Sequence, residues 1–304
     1  MMFAYPNWRP RRSVLFMPAS NERALAKAST LACDCLIFDL EDSVAGEAQE
    51  AARQNLRTLV ANGDFGARER IVRTSAWGAP EFGGDLAAAL ACSPDAILLP
   101  KLEDPAVLAE VVALLDAAGS PARLWAMIET PRAILDIAAI AACGPRLAAL
   151  VLGPNDLAKS TGVPMRPGRT AMLPWFMAVV LAARAHGLAV LDGVYNAFRD
   201  TAGFAAECEQ AADLGFDGKT LIHPAQIEAA NAAFSPSAQA FERAEAIVAA
   251  FALAQNAGKG AIQIDGEMVE RLHLDGANRL LESRNVFESQ SRADATDIRT
   301  SEAP

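Results

Sequence analysis

LWAMIETP, residues 124–131, runs through five apolar side chains and then sets a lone carboxylate, Glu129, ahead of a Thr-Pro stop. A short apolar run closed by a turn residue reads as a strand buried on both faces, the kind found in parallel sheets. A buried strand finishes on an anion where something there requires one, so Glu129 is the first candidate site residue.

Seven further stretches have the same form: SVLFMPAS (13–20), CLIFDLED (35–42), RIVRTSA (70–76), AILLPKL (96–102), LAALVLGPND (147–156), LAVLDGVY (188–195) and GFDGKTLIH (215–223). Ala- and Leu-rich helical stretches separate them, among them NERALAKASTLA (21–32), DPAVLAEVVALLDAAG (104–119) and TAGFAAECEQAADLG (201–215). Several open on a capping Asp, Thr or Asn and end at Gly. Eight strand-helix repeats in about 225 residues predict an α/β fold, a (β/α)8 TIM barrel. The alternative, a doubly wound open sheet, is weakened by the lack of GxGxxG after the first strand.

The barrel is expected over 11–233 and a C-terminal helical extension with a lid segment over 234–283. After the eighth strand come two helical stretches, 224–233 and 237–257, and then GKGAIQIDGEMVERLHLDGANRLLES (258–283), which must pack outside the barrel. From 284 to 304 the sequence is polar and weakly patterned, as a flexible tail would be.

Composition excludes several function classes. The 304 residues are 52% hydrophobic with a net charge of −10, so nucleic acid and anionic membrane surfaces are poor partners. No run approaches the ~18 apolar residues of a membrane span, and the N-terminus shows no signal-peptide core. The five cysteines (Cys33, Cys35, Cys92, Cys143, Cys208) are scattered, as reduced thiols of a cytoplasmic protein would be.

Reactive groups of such a barrel sit at the C-terminal ends of its strands. Those ends carry Ser20, Asp39, Glu41, Asp42, Arg73, Ser75, Lys101, Glu129, Asp156, Asp192, Lys219 and His223. Glu129 and Asp156 close consecutive strands, and two hard oxygen ligands completed by water suit Mg²⁺. Either could instead be a helix cap or ion-pair member. With three histidines and no thiolate cluster, zinc is disfavoured. Arg73 is either an oxyanion-stabilising guanidinium or the ion-pair partner of Asp39 or Glu41. Asp39, Glu41 and Asp42 cannot all face a metal, so one is expected to hold Arg73 and another to bind metal-linked water. Lys219 and His223 read as local hydrogen-bonding groups that close the barrel.

RRSVLFMPAS, IFDLEDSV, IVRTS, AMIET, LGPNDLA, LDGVY, GFDGKTLIHPAQI and IDGEMV, in this order, resemble the citrate lyase β-subunit-like family of acyl-CoA lyases, within the HpcH/HpaI aldolase superfamily. The resemblance runs from about Arg11 to Leu281. It implies a homotrimer or dimer of trimers with one Mg²⁺ per site, Mn²⁺ being its alternative, and coenzyme A as part of the substrate. By position, Glu129 and Asp156 match the family's metal ligands, Arg73 its substrate arginine, and Asp265 an acid delivered from the C-terminal segment of an adjacent subunit. Arg12 and Lys27 match positions near the coenzyme A phosphates. Departures fall at Ala19, where glycine is usual, at Ser75, where asparagine is usual, and in GPNDLA, which is closer to the short-chain aldolase branch.

The expected activity is reversible Claisen-type cleavage of a malyl-, citramalyl- or citryl-CoA to acetyl-CoA and a 2-oxo acid. Three alternatives stay open: a citrate lyase β subunit acting on acyl carrier protein, a metal-dependent pyruvate-enolate aldolase, and an inactive barrel serving as a scaffold.

Overall fold

The computed structural model describes residues 9–284. The tail expected over 284–304 lies, from residue 285 on, outside the described residues, as do residues 1–8 of the N-terminal stretch.

Eight parallel strands close into a barrel in chain order: β1 (Ser13–Pro18), β2 (Cys35–Asp39), β3 (Glu69–Arg73), β4 (Ala96–Leu99), β5 (Arg123–Ile128), β6 (Leu147–Leu152), β7 (Ala189–Asp192) and β8 (Gly218–Leu221). β1 pairs with β8 through Ser13 and Lys219, which leaves no open edge. The helices between them are α1 (Glu22–Lys27), α2 (Gln49–Asn55), α3 (Phe82–Ala91), α4 (Ala106–Ala117), α5 (Pro131–Leu135) and α6 (Ile137–Ala141). They continue as α7 (Pro154–Thr161), α8 (Leu173–His186), α9 (Thr201–Leu214) and α10 (Ile227–Ala233). Each of the eight apolar stretches therefore supplies one strand, because each is long enough to cross the barrel wall and is stopped by polar residues at its mouth.

Alternate strand residues divide between two cores. Val14, Ile37, Ile71, Leu98, Trp125, Met127, Val151 and Leu191 fill the barrel, while Leu15, Phe38, Val72, Ile97, Ile128, Leu150 and Val190 meet the helices. This period of two explains the continuous apolar runs: both faces are buried. Below the filling, charged groups seal the N-terminal end. Arg12, 4% exposed, donates from Nε and Nη2 to Asp34 at 2.9 and 2.8 Å. Arg11 pairs with Glu69 at 2.6 Å and lies over the Trp125 ring at 5.3 Å.

The chain divides into two compact units: 11–234, which is the barrel, and a second comprising, of the described residues, 9–10 and 235–284. The second unit contains α11 (Ala238–Ala252), a helical stretch at 271–284 and, between them, an antiparallel hairpin of β9 (Ala261–Ile264) and β10 (Glu267–Glu270). The expected helical extension is present, and the segment after it forms a hairpin that was not foreseen. Asp265 and Gly266, with φ of +51° and +87°, form its two-residue turn. Asp-Gly between apolar runs is a strong hairpin signal, since both central residues need positive φ.

The buried pair at the barrel base gives a test. Asp34→Ala leaves the Arg12 guanidinium without its carboxylate and should cost on the order of 3–5 kcal/mol in denaturant unfolding. Replacing both partners, Arg12→Met with Asp34→Leu, should cost less than the single change; an equal or larger loss would show that the pair is not the source of the effect.

Candidate active site

The mouth of the barrel is organised by Arg73, the last residue of β3. Its Nε and Nη2 donate to the two oxygens of Asp39, at the end of the adjacent β2, at 2.6 and 2.7 Å. Asp39 also accepts the main-chain N–H groups of Glu41 and Ser43 at 3.0 and 3.3 Å. Burial opposes ionisation of Asp39, but the hydrogen bonds and charge of Arg73 outweigh it and hold the carboxyl below its usual range. The third guanidinium nitrogen, Nη1, lies 2.8 Å from Glu41 Oε2, 3.4 Å from Asp42 Oδ2 and 3.7 Å from Met127 Sδ. Phe16 lies against the plane, its ring centre 4.8 Å from Cζ. Arg73 is therefore an ion-pair partner of Asp39, fixed at the mouth with one edge turned toward Glu41 and Asp42.

Glu41 Oε2 sits at ion-pair distance from Arg73 but without hydrogen-bond geometry, so this buried oxygen keeps its lone pairs unused. Burial raises the Glu41 carboxyl, against the pull of Arg73. Its other oxygen meets the Lys101 ammonium, which also lies 3.5 Å from Asp42.

Glu129 follows β5 and is 1% exposed. Its Oε1 accepts the N–H of Lys101 at 2.6 Å, while Oε2 is buried with no partner. Burial pushes the carboxyl up to about 7; the Lys101 N–H opposes the rise, and the charges of Glu41 and Asp156 add to it. Asp156 stands in the first turn of α7, one turn beyond β6 rather than at the strand end itself, where the helix N-terminus favours an anion. Gly153, between β6 and α7, makes the approach possible. A Cβ there would lie 2.3 Å from Glu129 Cβ and 2.7 Å from Oε2. Two neighbouring carboxylates, one with a buried, unbonded oxygen, fit a hard cation completed by water. Among the described residues no group of three or more His, Cys, Asp or Glu is arranged to hold a metal.

Other sequence candidates fall elsewhere. Arg12 precedes β1 at the opposite end of the barrel and is engaged with Asp34, so the expected contact with coenzyme A phosphates is corrected: the position is on the stability face. Lys27 is exposed at the end of α1. Ser75 turns outward, its Oγ and N–H bonded to Asp85 on α3 at 2.6 and 2.9 Å. Lys219 is fully buried, donating to Asp192 at 2.6 Å and Glu207 at 2.8 Å. His223 accepts from the N–H of Ala225 and stacks on Phe198. Asp265, its side chain 86% exposed, lies 3.4 Å from Arg243 within the second unit.

Sequence reasoning missed Arg169. Its guanidinium is buried against both oxygens of Asp192, at 2.7 and 2.8 Å, and lies over Phe176. It comes from the loop between α7 and α8, and no strand-end pattern points to it. A cavity of about 400 Å³ borders this network, lined by Arg169, Tyr195, Asn196, Glu207 and Gln210 but by none of the mouth carboxylates.

Known proteins give this arrangement its context. The profile of the HpcH/HpaI aldolase/citrate lyase family matches residues 12–224. A (3S)-malyl-CoA thioesterase of Cereibacter sphaeroides (strain KD131) is 50% identical over 272 residues, 90% of this chain and 94% of the relative. The mitochondrial citramalyl-CoA lyase of Homo sapiens is 32% identical over 86% of this chain and 82% of its own. The crystal structure of CitE from Mycobacterium tuberculosis, in complex with magnesium, acetoacetate and coenzyme A, superposes with a TM-score of 0.75 at 31% identity. That match covers 91% of this chain and 98% of the other.

The electrostatics of Glu129 give a pH prediction. Its carboxyl is raised in the folded protein, so the folded state holds this proton more tightly than the unfolded chain. The resulting stability is present at low pH and is lost as pH rises from about 4.5 to about 7, a loss on the order of 3 kcal/mol. In chelator-treated protein, Glu129→Gln should abolish that part of the decline in melting temperature. Parallel curves for the two proteins would show that the carboxyl is not perturbed.

Proposed function

This chain belongs to the HpcH/HpaI aldolase/citrate lyase family, and from that premise we propose that it is a Mg²⁺-dependent enzyme cleaving a malyl-CoA-type β-hydroxyacyl thioester between carbons. The observation that carries the proposal is Glu129 Oε2, buried and unbonded beside Asp156 at the mouth that Arg73 commands.

Glu129 and Asp156 would hold the ion. When bound, Mg²⁺ supplies Lewis-acid polarisation of the substrate hydroxyl and its neighbouring carboxylate. The chain's own residues do the rest. A carboxylate base takes the hydroxyl proton, and Glu41, with Oε2 unbonded, supplies one. The hydroxyl carbon becomes the carbonyl of a 2-oxo acid, and the electron pair of the broken carbon–carbon bond passes to the acetyl-CoA enolate. Arg73 faces the thioester oxygen as that charge develops, held in orientation by Asp39. Asp265, exposed at the hairpin turn, then protonates the enolate carbon, reaching the barrel of a neighbouring subunit in a trimer or dimer of trimers. Lys27, exposed on α1, is the remaining candidate for the coenzyme A phosphates.

A second reading, thioester hydrolysis, is favoured by the 50% identity to the malyl-CoA thioesterase. It uses the same ion and the same Arg73, with water attacking the thioester carbon. Incubating the protein with Mg²⁺ and (3S)-malyl-CoA separates the two. Carbon–carbon cleavage gives acetyl-CoA and glyoxylate; hydrolysis gives malate and free thiol in equal amounts. We expect the first pair, and release of free thiol with malate would overturn it in favour of the second. Citramalyl- and citryl-CoA, run in parallel, define the acyl group accepted.

Arg73→Lys should lower kcat by about 10²–10³, nearly as far as Arg73→Ala, because an ammonium cannot reproduce the planar fork. A lysine variant with near-normal kcat would reduce Arg73 to an ion-pair role. For Asp265, subunits carrying Asp265→Asn and subunits carrying Arg73→Ala should each be inactive but recover part of the activity when mixed and reassembled. No recovery after proven subunit exchange would remove Asp265 from a neighbour's site.

A further inference from the structure

Four non-glycine residues among those described adopt positive φ: Ser93, Lys101, Arg169 and Asp265. At Lys101, φ +51°, the main chain itself touches the candidate metal site. A side chain with a Cβ enters this left-handed region at a cost, and glycine enters it freely. Lysine stands there nonetheless, two residues beyond β4.

The conformation has a specific consequence. In this conformation the Lys101 N–H donates to Glu129 Oε1 at 2.6 Å. With one oxygen of Glu129 fixed by this donor, the carboxylate cannot rotate, and Oε2 stays directed away from any protein partner. Outward from the same residue, the ammonium reaches Glu41 and, at 3.5 Å, Asp42. This gives a reason for lysine in place of glycine: the side chain secures the β2 rim while the main chain aims the β5 carboxylate.

We propose that Lys101 is a positioning residue, whose left-handed main chain orients Glu129 toward the metal ion. The proposal rests on the assignment of Glu129 and Asp156 as metal ligands. It concerns the main chain rather than the charge, so the informative comparison is between two variants that both lose the ammonium. Lys101→Gly retains easy access to positive φ; Lys101→Val, β-branched, resists it.

Mg²⁺ affinity is measured by calorimetry on the parent, Glu129→Gln and both variants, with folding checked by circular dichroism. Groups that orient a ligand side chain typically change metal affinity about 10–100-fold. The Kd of Lys101→Val is therefore expected to exceed that of Lys101→Gly by about tenfold or more. Equal affinities in the two variants would overturn the positioning role while leaving the metal assignment intact. A parent whose Mg²⁺ binding is absent, or is unchanged by Glu129→Gln, would overturn the metal assignment and this inference with it. If the valine variant does not fold, Lys101→Ala replaces it, with a Kd above that of the glycine variant expected and an equal Kd overturning the proposal.

Discussion

The two-point contact between Arg73 and Asp39 is the interaction on which the mouth of the barrel depends. It joins the ends of two neighbouring strands and fixes the guanidinium plane. It also places one cation against three carboxylates, Asp39, Glu41 and Asp42. Without it Glu41 and Glu129 would face one another with little compensation, where burial already opposes the ionisation of both. Asp39 holds the arginine; the remaining edge of Arg73 and the Lys101 ammonium temper the others. In the proposed function a divalent ion and a substrate would complete the charge balance of these closely placed anions.

The same arrangement would reconcile an acidic protein with the anionic substrate proposed for it. A net charge of −10 disfavours long-range attraction of a coenzyme A ester. In the proposed function, recognition would come from short-range groups: the fixed guanidinium of Arg73, a metal ion held by Glu129 and Asp156, and local donors. Buried in a low-dielectric mouth, such groups act more strongly than they would on an open surface.

The two ends of the barrel use charge differently. At the base, Arg11 with Glu69 and Arg12 with Asp34 are closed pairs that seal the interior below Trp125. The mouth leaves Glu41 Oε2 and Glu129 Oε2 without hydrogen-bond partners. Beside the mouth carboxylates, the Arg169, Asp192, Glu207 and Lys219 network is again closed, two cations matching two anions. Among the described residues the buried carboxylate oxygens that lack a hydrogen bond are those of Glu41 and Glu129, at the place where chemistry is proposed.

The sequence by itself determined the eight strands and the ring of groups at their ends, because burial on two faces leaves a continuous apolar run and the mouth begins where that run stops. Arg73, Glu129 and the three carboxylates of DLED were legible for this reason, and the closed barrel bears out the fold. Only the tertiary structure decided which partners these groups take. Arg12 and Asp34 are separated by 22 residues, and Lys101 and Glu129 by 28, so their contacts exist only after the strands have been laid side by side. The hairpin around Asp265 was legible through its Asp-Gly turn, although the segment was read only as one that packs outside the barrel. Arg169 was not legible: a loop arginine becomes a buried one only when the end of β7, 23 residues further along the chain, supplies its anion. Local periodicity is written along the chain, whereas the pairing of charges is set by barrel closure, which brings together residues that no local pattern links.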